Sequence, residues 1–279
     1  DAVDARSNDA MDAGAETSAR LQASAQARSS DNLSDCYKMN HEKRGMAVII
    51  NNRNFHPSTR MGERNGTDVD AEAMYRLLDV LGFEVIDKHD NKTAAQMRDI
   101  LCKASKVDHT DSDCFVCVIL SHGEEGHIYG TDQPIAIDEL VRPFKGHNCS
   151  SLAGKPKLFF IQACRGSELD HGVTVADAAG EDDVEIRRIP TEADFLMAYS
   201  VVPGFYSWRN SAKGSWFIQA LFDVFTKNWK TLDVLTMMTR VNKKVAYNFE
   251  SQSSTEGWSK KKQIPCVTSM LTKDVYFKK

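Results

Sequence analysis

Lys157-Leu158-Phe159-Phe160-Ile161-Gln162-Ala163-Cys164-Arg165-Gly166 is the stretch on which the reading of this chain turns. It is a short apolar run of the length of a buried strand, and it ends on a thiol followed by arginine and glycine. Open α/β sheets bind ligands at the carboxyl ends of their strands, which is where such a run delivers Cys164. Taken singly, Cys164 reads equally as one more buried apolar cysteine, so its neighbours have to decide.

Working outward, Cys114 to Leu120 is a second continuous apolar run, and it opens into Ser121-His122-Gly123. Met46 to Asn51 is a third. Between these runs the apolar period changes to that of helices. Thr67-Asp68 reads as a cap for a helix with Val69, Ala73, Leu77 and Val80 inward, ended by Gly82. Thr93 to Val107 reads as a second helix, with Ala94, Met97, Leu101 and Ala104 inward. Phe83 to Ile86 and Ala193 to Tyr199 add strands, and Ile135 to Phe144 a short strand or turn leading into a helical turn. Two more helices are expected near Ser215 to Phe225 and Thr231 to Phe249, with Trp216, Ala220 and Leu221 as core candidates, before a last strand between Pro265 and Phe277. Strands alternating with helices predict an α/β fold with a mostly parallel sheet covered on both faces.

Composition narrows the class. A chain of 279 residues, 42 % hydrophobic, buries a sizeable core. Net charge is −4, and residues 1–35 carry seven acids against three arginines, so the remainder is neutral and offers no nucleic-acid footprint. Lys260-Lys261-Lys262 reads as a solvated loop face. Residues 1–35 hold almost no large apolar side chains and are expected to be a disordered acidic leader. Residues 166–190, with seven acids, form a second polar stretch of the kind that is functional or unstructured. Seven scattered cysteines, without a signal peptide or long apolar span, point to free thiols in a reducing, cytoplasmic setting away from membranes. Cys114 and Cys117 have CxxC spacing, but on a strand they face opposite sides, so neither a metal nor any cofactor is expected.

In a parallel sheet, strands ending in His122 and Cys164 finish on one edge, so the two side chains can converge. An imidazole beside a thiol favours the thiolate, the species that attacks a carbonyl. Gly123 permits close backbone approach, and its N–H and that of Cys164 are candidate oxyanion donors. His122 alone reads as readily as a hydrogen-bonded structural histidine.

Gln162-Ala163-Cys164-Arg165-Gly166, with Ser121-His122-Gly123-Glu124-Glu125-Gly126 upstream, resembles the caspases. The resemblance runs from about Tyr37 to the C-terminus through Gly66-Thr67-Asp68-Val69-Asp70, Tyr206-Ser207-Trp208-Arg209, Gly214-Ser215-Trp216-Phe217 and Lys262-Gln263-Ile264-Pro265-Cys266. Within the family it points to the executioner branch. It implies a three-layer sandwich around a six-stranded sheet and a cysteine endopeptidase cutting after aspartate in apoptosis. It places Arg64, Gln162 and Arg209 in the pocket for that aspartate, where guanidinium groups supply the bidentate partners a carboxylate needs. It also implies that Tyr206 and Trp208 wall the second substrate position, and that Ser207 and Arg209 pair their backbone with the substrate as an added strand. Asn210 and Trp216 match the pattern that admits aspartate at the fourth position. Gln252, in a loop where some executioner caspases carry aromatics, bears on that preference, and Trp258 is a loose match to one of those rings.

The same resemblance implies proteolytic activation. Residues 36–177 would form a large subunit ending at Asp177, residues 178–190 a linker remainder and residues 191–279 a small subunit, with Asp182 and Asp183 as rival linker sites. In the leader, Asp4 and Asp12 each close a stretch with aspartates at its first and fourth positions. The last strand, around Val267 to Leu271, would sit at a sheet edge that invites a second copy, giving a homodimer of large-small pairs. An upstream initiator caspase and inhibitor-of-apoptosis proteins are the further partners the family implies. The competing reading is a catalytically silent regulator on the same fold. Intact His122, Cys164, Arg64 and Arg209 speak against it. Arg165 has no role that can be read from the residues beyond supporting its loop.

Overall fold

The computed structural model describes residues 34–166, 192–252 and 258–278. The acidic leader with Asp4 and Asp12, and the linker with Asp177, Asp182 and Asp183, lie outside the described residues.

The frame is a six-stranded sheet. In chain order its strands are β1 (Met46–Asn51), β2 (Val85–Asp90), β3 (Phe115–Leu120), β7 (Lys157–Gln162), β8 (Phe195–Tyr199) and β11 (Cys266–Ser269). Their order across the sheet is β11-β8-β7-β3-β1-β2, all parallel except β11. A small sheet of β4 (Gly123–Glu124), β5 (His127–Tyr129) and β6 (Pro134–Ala136) follows β3, and a hairpin of β9 (Arg209–Asn210) and β10 (Gly214–Ser215) follows β8.

Alternation along the strands supplies two cores. Ala47, Ile49, Val116, Val118, Leu158 and Phe160 face one way and pack under α1 (Thr67–Val80), α4 (Trp216–Asn228) and α5 (Val234–Asn248). Val48, Ile50, Phe115, Cys117, Phe159 and Ile161 face the other way, under α2 (Ala94–Ser105) and α3 (Ile137–Val141). Three layers result, as expected. Cys114 and Cys117 fall in opposite layers and cannot share an ion. Among the described residues no helix is long and apolar enough to cross a membrane.

Several local expectations need correction. The N-cap of α1 is Gly66, and Thr67 is the first helical residue, buried instead of capping. The helix is turned so that Thr67, Asp70, Ala71, Met74, Leu77 and Leu78 face inward, leaving Val69 and Val80 exposed at 42 % and 44 %. Polar Thr67 and Asp70 occupy the buried stripe because they serve the site below. By contrast α2 follows its pattern: Thr93 caps it through a reciprocal box with Gln96, and all four expected residues are buried. Strand β2 starts at Val85, and β11 stops at Ser269 instead of reaching Phe277. Lys261 is no solvated face: it is 7 % exposed, and its backbone N–H donates to Ser251 Oγ at 2.8 Å.

Candidate active site

Strands β3 and β7 pair in register, Leu120 opposite Gln162, so His122 and Cys164 both lie two residues beyond matched strand ends. His122 Nε2 lies 2.8 Å from Gly62 O. A carbonyl only accepts, so that nitrogen carries the proton and a neutral ring keeps its lone pair on Nδ1. The Phe55 ring packs against the imidazole at 4.8 Å, tilted by 56°. Burial pushes the imidazole down to about 4, and the charges of Arg64 and Arg209 act in the same sense.

Cys164 Sγ accepts the Ser207 N–H at 3.4 Å, and among the described residues no hydrogen bond joins it to His122. Burial pushes the thiol up, against the Ser207 bond and the two arginines. The resting pair is therefore a neutral thiol beside a neutral imidazole, not the preformed thiolate that the residue types suggest. Both groups are partly desolvated, and the nearby cations disfavour an imidazolium.

Gly123 is needed for its size. A Cβ there would lie 2.9 Å from Ala163 Cβ and 3.0 Å from Cys164 O. Tyr129 N–H donates to His122 O at 2.9 Å, making His122 and Tyr129 a hydrogen-bonded pair. Gly123 and Ile128 are then a non-hydrogen-bonded pair, so the Gly123 N–H points away from β5.

Beside the thiol is a buried cationic pocket. Arg64 is fully buried; its Nη1 donates to Asn52 O at 3.0 Å and to Thr67 Oγ1 at 2.5 Å, while Nε and Nη2 have no partner. Burial and the charge of Arg209 bring this guanidinium down to about 9, still charged at neutral pH. Arg209 donates from Nε to Asn65 O at 2.9 Å. Gln162 Nε2 donates to Ser207 Oγ at 2.9 Å, leaving Oε1 buried without a partner. The Ser207 hydroxyl can donate as well as accept, so the amide can turn its NH₂ toward a carboxylate. Unfilled buried donors of this kind call for an anionic ligand.

Tyr206, Trp208, Trp216 and Trp258 form an aromatic wall, with Tyr206–Trp208 at 5.4 Å, Trp208–Trp216 stacked at 5.6 Å and Tyr206–Trp258 at 5.7 Å. Trp208 N–H donates to Gln263 Oε1 at 2.7 Å, and Gln263 Nε2 donates to Ser200 O at 2.6 Å. Trp216 N–H donates to Trp208 O, so in the following pair, Arg209 with Ser215, the Arg209 backbone groups point outward.

Not every expected residue joins the site as expected. Ser207 N–H is occupied by the thiol. Asn210 is exposed and spends Oδ1 on the N–H groups of Ala212 and Lys213, closing a turn. Gln252 is exposed and makes no described contact with the aromatic wall. Arg165 stacks over Tyr199 at 4.2 Å, donates from Nη2 to Glu125 Oε1 at 2.8 Å, and exchanges backbone bonds with Phe205 and Gly204. It ties the nucleophile's loop to the aromatic loop. Asp70 and Gln263 were missed as site residues. The available signal for both was their place in the blocks Gly66-Thr67-Asp68-Val69-Asp70 and Lys262-Gln263-Ile264-Pro265-Cys266.

The chain matches the caspase domain over residues 44–276. It is 52 % identical over 246 residues to caspase-7 of Gallus gallus, covering 86 % of this chain and 79 % of that one. It is 49 % identical over 245 residues to caspase-3 of Bos taurus, covering 88 % of each. The crystal structure of caspase-1 from Spodoptera frugiperda superposes with a TM-score of 0.81 at 40 % identity, over 88 % of this chain and 94 % of that one. Sheet, neutral Cys–His edge and cationic pocket thus belong to one known family: this chain is a caspase of the executioner type, an aspartate-specific cysteine endopeptidase acting in apoptosis.

Proposed function

We propose the following division of labour among the residues of the site. The observation that carries it is the fully buried Arg64, with Nε and Nη2 unpartnered, beside Cys164. Arg64, Arg209 and Gln162 bind the substrate aspartate as a carboxylate. The Arg209 backbone pairs with the extended peptide, and Tyr206, Trp208 and Trp258 receive the second residue. Trp216 and Asn210 border the fourth position, where aspartate gives a DxxD preference, with Gln252 at the rim.

The chemistry starts from the neutral pair. The Cys164 thiol passes its proton to His122 Nδ1 as sulfur bonds to the substrate carbonyl carbon. The carbonyl electron pair moves onto oxygen, held by the N–H groups of Gly123 and Cys164. When the intermediate collapses, the C–N bond breaks and the amine leaves with the proton from His122. Water then adds to the thioester, giving a proton to His122; the C–S bond breaks and the sulfur takes that proton back, releasing the acid and the Cys164 thiol. A fluorogenic aspartate-terminated peptide, with an alanine-terminated control, tests the scheme. Cys164→Ala should abolish turnover, by about 10⁵-fold or more, and retained cleavage after aspartate would overturn it.

Activation belongs to the same reading. Cutting after Asp177 separates the large subunit, 36–177, from the small one, 191–279, with 178–190 as remainder, and cuts after Asp4 and Asp12 trim the leader. Terminal sequencing of mature subunits tests this, and unaltered processing in Asp177→Ala would refute that boundary. The enzyme works in the cytoplasm as a homodimer of large-small pairs, activated by an initiator caspase and restrained by inhibitor-of-apoptosis proteins.

A further inference from the structure

Asp70 is unused by this mechanism, yet the fold builds it a seat. It is 1 % exposed on the buried stripe of α1. Its Oδ1 accepts the Ser215 N–H at 2.8 Å, and Oδ2 is buried without a partner. Gly214, at φ +83°, makes that seat: a Cβ there would lie 2.3 Å from Asp70 Oδ1. A buried carboxylate with half its capacity unspent is costly unless its charge is used elsewhere.

Its charge acts on the pocket. Arg64 and Arg209 repel one another in the empty site, and the field of Asp70 opposes that repulsion at both. The geometry links all three: Arg64 Nη1 bonds Thr67 Oγ1, three residues before Asp70 on the same buried stripe, and Asp70 Oδ1 bonds the N–H of Ser215, the strand partner of Arg209, while Arg64 Nε and Nη2 and Asp70 Oδ2 have no hydrogen-bond partner. A substrate aspartate entering the pocket becomes a second buried carboxylate near the same two cations. Each of two carboxylates in one desolvated site raises the other's affinity for a proton. The substrate carboxylate bonds the guanidinium groups directly, so Asp70 is the one to yield. We propose that Asp70 is a positioning residue of the first pocket, a buried counter-charge that holds Arg64 and Arg209 together in the empty site and takes up a proton from solvent when the substrate carboxylate replaces it.

Burial already brings the Asp70 carboxyl up to about 6, against the Ser215 bond and the two arginines. The other groups facing this region keep their charge near neutrality. His122 is held neutral, the Cys164 thiol and the Tyr206 phenol are pushed up, and Asp223, across a cavity of about 470 Å³ lined also by Asp70, Lys213 and Lys244, is paired with Lys244 and Lys227.

The inference rests on the aspartate-pocket reading, and one experiment separates the two. Binding of a non-cleavable peptide analogue with aspartate at the cleavage position is measured calorimetrically in two buffers of different ionisation enthalpy, beside its asparagine isostere. Wild-type enzyme should take up roughly half a proton or more at pH 7 with the aspartate analogue and none with the isostere. Its affinity should rise about three- to tenfold per unit as pH falls from 8 to 6.5. Asp70→Asn keeps an acceptor for Ser215, and should bind without uptake, independently of pH and more tightly than wild type at pH 8. Wild-type binding without proton uptake overturns the inference whether or not the variant folds, as does an unchanged pH slope in Asp70→Asn. Equal affinity for aspartate and asparagine analogues overturns the pocket reading and this inference with it.

Discussion

At the scale of single residues, burial sets the chemistry more than pairing does. His122 lies near two guanidinium groups and is partly desolvated, so its imidazole stays neutral through physiological pH. Its value falls from the ordinary 6.5 to about 4, and the unfolded chain therefore binds the extra proton between those limits. Its contribution to stability rises with pH across that window and is constant above it. Ring resonances of His122 followed by NMR should stay in the neutral position from pH 8 to pH 5 and move only near 4; a midpoint near 6.5 would contradict the burial argument. The pocket arginines are equally specific. Arg209→Lys keeps the charge but loses the planar fork, and kcat/KM for an aspartate-terminated peptide should fall about 100-fold, or close to 3 kcal/mol. By itself Arg64 reads as an arginine in a loop, and only the family resemblance assigns it to a pocket. That it is fully buried with two unpartnered nitrogens follows from packing, which no local pattern carries.

At the scale of elements, α1 and α2 show when periodicity can be trusted. In α2 the apolar stripe and the buried face coincide, and the Thr93–Gln96 box closes its N-terminus. Thr93→Ala should cost about 1 kcal/mol in urea unfolding. In α1 the apolar residues spread around the helix, and the inward face is chosen by what Thr67 and Asp70 must reach. Leu77→Ala should therefore cost about 2–5 kcal/mol, whereas exposed Val80→Ala should stay within about 0.5 kcal/mol. Equal costs would put the helix back in the rotation its apolar spacing suggests. The hairpin β9–β10 was equally illegible. Two-residue strands have no pattern, and this one exists because Gly214 and Asp70 lock together.

For the whole molecule, β11 lies antiparallel at the sheet edge beside β8, with Thr268 and Ser269 exposed. A two-fold axis there would set each strand against its own copy, so a charge added at Thr268 meets the same charge on the partner. Thr268→Lys should weaken self-association about tenfold or more by sedimentation, taking activity with it. An active monomer would dismiss the dimer. The strand alternation and the layer count were readable from the chain, because short apolar runs set between helical patterns read as strands buried on both faces, and parallel strands share one edge, which puts the matched strand ends before His122 and Cys164 side by side. Only the tertiary structure decided that thiol and imidazole rest neutral, that Arg165 joins two loops, and that Asp70 is buried with one oxygen unspent. Charge state and unspent hydrogen bonds depend on which residues exclude water together, and those residues come from elements far apart in the chain.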